Sequence, residues 1–294
     1  FADAVVLALG APPPPAPANA ERQLIEAWDQ RAQSRLGRGD VLLLGTGLTM
    51  VDVALSLAER RDKGVIYALS RRGRIPLAHA PAYVEPAPAP ALPAALSAAL
   101  QLLRARARQS GDWRALVDGL REAAPDLWAS LPLEAQRRFL RHLRPWWDSH
   151  RHRAAPEIAR RLNALINAGR VRILAGELFS AVQEGPSWRV QHRQRGSLVR
   201  HRLEVAGVIN CLGPDFELRN PDDLVRQLLQ EGYARAPANG LGLEVDPHNR
   251  LRNAQGLAQP GLFMLGPLAI GSFWETLAIP ELRARAAAIA ALLG

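Results

Sequence analysis

Val41-Leu-Leu-Leu-Gly45-Thr46-Gly47-Leu48-Thr49-Met50-Val-Asp52, followed by Val65-Ile-Tyr-Ala-Leu69-Ser70-Arg71-Arg72, is the stretch that decides the fold. Val41 to Leu44 is an uninterrupted apolar run, as expected of a parallel strand buried on both faces. Gly45 permits a sharp turn, and Gly47 lets backbone approach a ligand at the positive end of the next helix. Val51, Ala54, Leu55 and Leu57 supply an apolar face for a helix from Leu48 to Arg60, and Val65 to Leu69 reads as a second strand. Strand, glycine turn, helix and strand make the first half of a dinucleotide-binding βαβ unit, hence an α/β fold. Ser70, Arg71 and Arg72 stand where NAD(H) sites place an acid on the ribose. A hydroxyl and two guanidiniums suit a 2′-phosphate, so NADP(H) is favoured. Met50 replaces the third glycine of the fingerprint, and an ordinary tight strand–helix connection is the competing reading.

The chain has 294 residues, enough for one large domain or two smaller ones. It carries no run of about 18 apolar residues and no basic-then-apolar leader, so a cytoplasmic, non-membrane protein is expected. The single cysteine, Cys211, excludes an intrachain disulfide and reads as a small core residue. The formal charge of +9 invites a nucleic-acid reading. Against it, Lys63 is the only lysine, and arginine with abundant alanine and proline is what a GC-rich genome produces. Residues 101–170 hold fourteen arginines among seven acids, the pattern of solvated helix faces, so no nucleic-acid partner is expected.

Ala11 to Ala18 and Ala80 to Pro93 are proline–alanine stretches that read as stiff connectors. A helix is expected over residues 19–34, with Asn19 as N-cap and Leu24, Ile25 and Trp28 on one side. Further helices are expected at 94–109, 111–123, 133–142 and 155–168, the third opened by Pro132. Strands are expected at 171–175, 178–183, 188–194 and 198–204, the middle two joined as a hairpin around Gly185-Pro186-Ser187. A last helix is expected from Glu275 to Leu293.

Val5–Gly10, Val208–Gly213 and Leu262–Gly266 are three apolar strands that each stop at a glycine. Such strands end where backbone meets a ligand or turns into a helix; glycine as plain strand punctuation is the competing reading. Their order around Gly45–Arg72 resembles the two-dinucleotide-binding flavoproteins, in which an NADP(H) domain is inserted into a split FAD domain. More specifically, Gly45–Asp52, Ala68-Leu-Ser-Arg-Arg-Gly73, His142-Leu-Arg-Pro-Trp-Trp-Asp-Ser-His-Arg-His-Arg153 and Gly266-Pro-Leu-Ala-Ile-Gly-Ser-Phe-Trp-Glu275 resemble a bacterial family of FAD/NAD(P)-binding proteins. That family is similar to flavin-dependent urate hydroxylases and to flavoenzymes that oxidise the amine of aspartate.

The resemblance implies a Rossmann-like NADP-binding domain with a helical insertion, flanked by the C-terminal part of a split FAD-binding Rossmann-like domain. Residues 1–18 would end the first FAD segment, 19–206 would form the NAD(P) domain with its insertion at 94–170, and 207–294 would form the FAD return. The family's first glycine fingerprint has no counterpart here, and the chain looks like the C-terminal two-thirds of such a protein. FAD is therefore expected in the intact parent. Gly45, Thr46, Gly47, Leu48, Thr49, Ser70, Arg71 and Arg72 would hold NADP(H). Gly10, Gly213, Pro214, Gly266 and Pro267 would border the flavin, with Gly271, Ser272, Phe273 and Trp274 opening the last helix towards it. Many relatives have Gly-Asp where Gly266-Pro267 stands here.

The implied activity is hydride transfer from NADPH to FAD, followed by oxygenation of a small-molecule substrate or transfer of electrons to an acceptor. The alternative is a non-catalytic dinucleotide-binding or interaction module that has lost flavin. Between His142 and Arg153, metal ligation is disfavoured because Arg144, Arg151 and Arg153 would repel a cation. Arg144, His150, His152 and Arg153 could instead grip an anionic substrate, or the segment could be helix-end packing anchored by Trp146 and Trp147. Trp28, Trp113 and Trp128 read as core.

Overall fold

The computed structural model describes residues 2–20, 24–61 and 63–294. Its strands are β1 (Val5–Leu7), β2 (Ile25–Glu26), β3 (Val41–Leu44), β4 (Ile66–Ser70), β5 (Val171–Glu184), β6 (Ser187–Gln194), β7 (Arg200–Val205), β8 (Gly207–Asn210), β9 (Arg250–Arg252) and β10 (Ala258–Met264). Its α-helices are α1 (Gln30–Ser34), α2 (Leu48–Arg60), α3 (Leu96–Ser110), α4 (Trp113–Ser130), α5 (Leu133–Arg138), α6 (Arg144–Arg151), α7 (Pro156–Asn167), α8 (Asp223–Gln230) and α9 (Ile279–Leu293). A π-helical turn covers Phe139–Leu143 and a 3-10 turn covers Pro267–Ala269.

Two compact units divide the chain. One joins Pro14–Val84 to Leu143–Gly213; the other joins the residues up to Pro13 to Glu85–His142 and Pro214–Gly294. The breaks after Pro13 and Val84 fall inside the two proline–alanine connectors, where the backbone carries no ladder that a boundary would interrupt.

The first unit is built on a seven-stranded sheet in the order β2-β8-β3-β4-β5-β6-β7. Neighbours from β2 to β5 are parallel, and β5, β6 and β7 form an antiparallel meander. The apolar run of β3 explains its central place, because side chains alternate between faces. Val41 and Leu43 pack with Met50, Val51, Ala54 and Leu57 of α2 and Leu162 of α7. Leu42 and Leu44 turn the other way, onto Trp188, Val190 and Val205 of the meander. All four are buried, each leucine contributing about 1.5–3 kcal/mol of transfer free energy. Met50, standing for the fingerprint's third glycine, is fully buried in the core that α2 shares with β3.

The second unit carries a three-stranded sheet, β1-β10-β9, in which β1 runs parallel to β10 with Val5 opposite Leu262. Val225 of α8, Leu243, Leu251, Met264, Leu268 and Ala269 form its core. Trp128, Phe139 and Trp274 make an aromatic cluster, Trp128 and Trp274 stacking with centroids 4.8 Å apart. Arg121 and Glu281 tie α4 to α9 through an ion pair.

Four expectations need correction. The helix expected over 19–34 is a strand at Ile25–Glu26 and a helix only at Gln30–Ser34; Glu21, Arg22 and Gln23 lie outside the described residues. Pairing of Ile25 with Ile209 satisfies that backbone in the sheet, and Asp29, not Asn19, caps the short helix by accepting the Ala32 N–H at 2.8 Å. Trp28 is 71% exposed, not core. The strands read at 171–175 and 178–183 are one strand with a register shift between Leu178 and Ser180, a bulge that bends the parallel sheet into the meander. The last helix begins at Ile279, with Pro280 in its first turn, rather than at Glu275. Of the helices between residues 94 and 170, α3, α4 and α5 belong to the three-stranded unit and α6 and α7 to the seven-stranded one.

Candidate functional site

The carboxyl ends of β8, β3 and β4 form one edge of the parallel sheet, and the chain reverses its direction of spread between β8 and β3. Open α/β sheets bind ligands at such a switch point. Gly45 follows β3 there, with φ at +110°, and its N–H donates to Leu69 O at 2.8 Å. A Cβ at Gly45 would lie 2.4 Å from the Cys211 carbonyl oxygen, so the glycine is required by both conformation and space. Cys211 is buried, and that burial with the nearby Glu26 pushes its thiol up to about 12.

Gly47 is the N-cap of α2, with ordinary φ of −80° and nothing within 4 Å of where its Cβ would be. The first bond of the helix runs from Val51 N–H to Gly47 O, which leaves the N–H groups of Leu48, Thr49 and Met50 without intrahelical acceptors. Open backbone at the positive end of a 13-residue helix fits a pyrophosphate. Leu48 is exposed and Thr49 half-buried beside it. Gly213, at the end of the segment after β8, also has open space around its missing Cβ.

Thr46 is buried and ties the turn to the tip of β4: its hydroxyl donates to Arg74 O and pairs with Ser70 Oγ at 2.8 Å. Ser70 Oγ also accepts the Gly73 N–H at 3.0 Å. Arg71 is exposed. Arg72, Gly73, Arg74, Ile75, Leu77, Trp146, Ser149 and His150 line an open cleft of about 480 Å3. The Arg74 guanidinium lies over the Trp146 ring; burial lowers its pKa, and the nearby charges of Arg72 and Arg195 lower it further. Arg74, Arg195 and Trp146 were not recognised as site residues in the sequence. Arg74 sits just two positions past a recognised arginine, whereas Arg195 carries no local signal.

The four anion candidates differ in their surroundings. His150 lines the cleft, with its Nδ1 against Trp146 O at 2.8 Å. Arg144 pairs with Asp148 at 3.5 Å, His152 is the C-cap of α6, and Arg153 is buried. Among the described residues no group of three or more His, Cys, Asp or Glu is placed to hold a metal ion. Among them, too, no helix is long and apolar enough to cross a membrane.

In the three-stranded unit the parallel pairing brings the ends of β1 and β10 to one edge, with Leu265 N–H donating to Leu7 O at 2.9 Å. Gly10 (φ +75°) and Gly266 (φ +122°) follow those strands, and a Cβ at either would meet nothing within 4 Å. Two bare backbones on one parallel edge fit close approach by a ligand such as FAD. Pro214 is exposed, and Pro267 opens the 3-10 turn.

Gly271 to Trp274 do not open the last helix. The N–H groups of Ser272 and Phe273 both donate to Ala269 O, and Gly271 O accepts from Trp128 Nε1 at 2.9 Å and Asn239 Nδ2 at 2.8 Å. Ser272 Oγ accepts the Val245 N–H, Arg285 lies over Phe273, and Trp274 is buried against Trp128. The carbonyl of Gly271 and the side chains of Ser272, Phe273 and Trp274 thus pack within the unit, and the Ser272 and Phe273 N–H groups are taken up by Ala269 O.

No protein-family profile and no curated protein matches the sequence. Solved structures do match over almost the whole chain. The ornithine N-hydroxylase of Kutzneria sp. 744, described with reduced FAD, NADP+ and L-ornithine, is 17% identical, with a TM-score of 0.63 over 97% of this chain and 62% of that one. The L-lysine 6-monooxygenase of Pseudomonas syringae is 18% identical, with a TM-score of 0.64 over 99% of this chain and 64% of that one. The reduced ornithine hydroxylase of Pseudomonas aeruginosa is 14% identical, with a TM-score of 0.62 over 99% and 62%. The chain therefore has the α/β fold of these monooxygenases, and it spans less than two-thirds of their length.

Proposed function

We propose that this chain is part of an FAD-dependent NADPH oxidoreductase, a monooxygenase acting on a small molecule. The observation that carries the reading is the Gly45–Gly47 turn: a glycine that nothing else can replace, then an open helix N-terminus at the switch point of a parallel sheet. In this reading the unit built around β3 takes the pyrophosphate of NADP(H) on the amides of Leu48 and Thr49. The unit built around β10 offers Gly10 and Gly266 to FAD, and the remaining flavin contacts come from outside this chain. When bound, FAD would supply the redox chemistry that links NADPH to O2. The chain's own groups bind and orient; Gly45 and Thr46 hold the turn in place. The likeness to amine hydroxylases supports a monooxygenase. The quoted motifs support kinship with the urate hydroxylases and aspartate-oxidising flavoenzymes within that broader set.

A second reading, a dinucleotide-binding module without flavin, is favoured by Pro267, which supplies neither a carboxylate nor an N–H after Gly266. A visible spectrum of the full-length protein separates the two. Bound flavin bleached by NADPH under argon supports the oxidoreductase. NADPH binding without flavin supports the module, and binding of neither removes both.

A further inference from the structure

We propose that Arg72, Arg74 and Arg195 form a phosphomonoester pocket beside Trp146, and that this trio, rather than Ser70 and Arg71, selects a dinucleotide bearing a 2′-phosphate. The proposal rests on the NADP(H) reading above and names the residues that give it specificity.

Ser70 has no proton to offer a phosphate. Thr46 Oγ1 spends its one hydrogen on Arg74 O, so in the Thr46–Ser70 pair Ser70 is the donor. Ser70 Oγ accepts the Gly73 N–H as well. The hydroxyl is therefore a positioning group that fixes the Arg72-Gly73-Arg74 turn over the glycine turn. Gly73 itself has φ of +59°, and a Cβ there would lie 3.0 Å from the Ala175 side chain, which presses the turn onto β5.

Arg195 reaches the same place from far along the chain. Its N–H donates to Ala175 O at 2.8 Å, and Ala175 pairs with Ser70. Three segments thus converge at the tip of β4. The Arg74 guanidinium lies over the Trp146 ring, and a guanidinium stacked on an aromatic face keeps its N–H groups for a tetrahedral anion at its edge. Burial, and after it the repulsion of Arg72 and Arg195, disfavours Arg74's charge, a cost that an anion of high charge would relieve. A carboxylate brings one charge, whereas a phosphomonoester brings about −1.5 to −2 at neutral pH. The cleft of about 480 Å3 is large enough for that group with an attached ring.

The test is calorimetric titration of the full chain with 2′,5′-ADP, 5′-AMP and inorganic phosphate. The wild type is expected to favour 2′,5′-ADP over 5′-AMP by at least about tenfold. Arg74→Ala and Arg195→Ala should each abolish most of that preference, Arg74→Lys should restore part of it, and Arg71→Ala should keep it. Unchanged melting curves show that the variants fold. Loss of preference in Arg71→Ala, or its retention in Arg74→Ala and Arg195→Ala, overturns the proposal. So does equal wild-type binding of both nucleotides, which leaves the dinucleotide reading intact. Tight inorganic phosphate binding without nucleotide preference assigns the pocket to another phosphomonoester and also overturns it. Failure of every nucleotide to bind sinks this proposal and the function above together.

Discussion

Gly45 is pressed so closely against Cys211 that a Cβ would sit 2.4 Å from the Cys211 carbonyl oxygen, whereas at Gly47 a Cβ would meet nothing within 4 Å. The two glycines therefore do different work. Gly45→Ala adds a clash and an unfavourable φ of +110°, and should cost well over about 1 kcal/mol in urea unfolding. Gly47→Ala should change stability by less than about 0.5 kcal/mol yet weaken NADPH binding about tenfold, because its methyl stands where the pyrophosphate would come. Wild-type NADPH affinity in Gly47→Ala would contradict the site.

The buried thiol of Cys211 makes a prediction at high pH. Its folded value is about 12, above the ordinary thiol value of about 8.5. A raised value means that the unfolded chain loses its proton first. The stabilisation is present below about pH 8.5 and is lost as pH rises towards 12. The stability difference between wild type and Cys211→Ala should shrink across that window in urea titrations. At pH 8 the native thiol should also resist iodoacetamide until denaturant is added.

His192 works at the other end of the scale. It is 6% exposed, its ring stacks on His201 at 5.4 Å, and burial with that neighbour lowers its pKa. A lowered histidine value means that the unfolded chain takes up the proton more readily, so stability falls as pH drops below about 6.5. The urea midpoint should be lower at pH 5.5 than at pH 7.5. His192→Phe should flatten that slope, and an unchanged slope would rule out this histidine as its source.

Trp128 Nε1 donates to the Gly271 carbonyl in a buried pair, and Asn239 shares the same acceptor. Trp128→Phe keeps the aromatic stack on Trp274 but removes the donor. It should cost about 1–2 kcal/mol by thermal unfolding. Asn239→Ala should cost less, because its amide is only part-buried. The reverse order would mean that the carbonyl is held chiefly by Asn239.

The βαβ stretch was legible because everything that defines it is local: an apolar run, two glycines and helical spacing within consecutive residues. Val41–Leu44, Leu48–Arg60 and the strand ending at Ser70 all form where the pattern places them. The segment 19–34 was misleading because its helical spacing competes with β8, a partner more than half the chain away. Arg195 and Trp146 were invisible as site residues for the same reason. Helix α4 shows amphipathic spacing through Leu116, Leu120, Ala124 and Trp128, which says that a face is buried but not against which core. Gly271 to Trp274 looked like a helix opening, and only the carbonyl and ring contacts reveal their packing role.

Strand β8 lodges between β2 and β3, which come earlier in the sequence, while β8 itself follows helices α1 to α7 and the meander. On the ribosome, β3 must therefore wait with one flank unpaired until those helices and the meander have emerged. A nascent chain stalled before Gly207 would expose sticky apolar backbone, and prompt delivery of that late strand protects the newborn protein from aggregation.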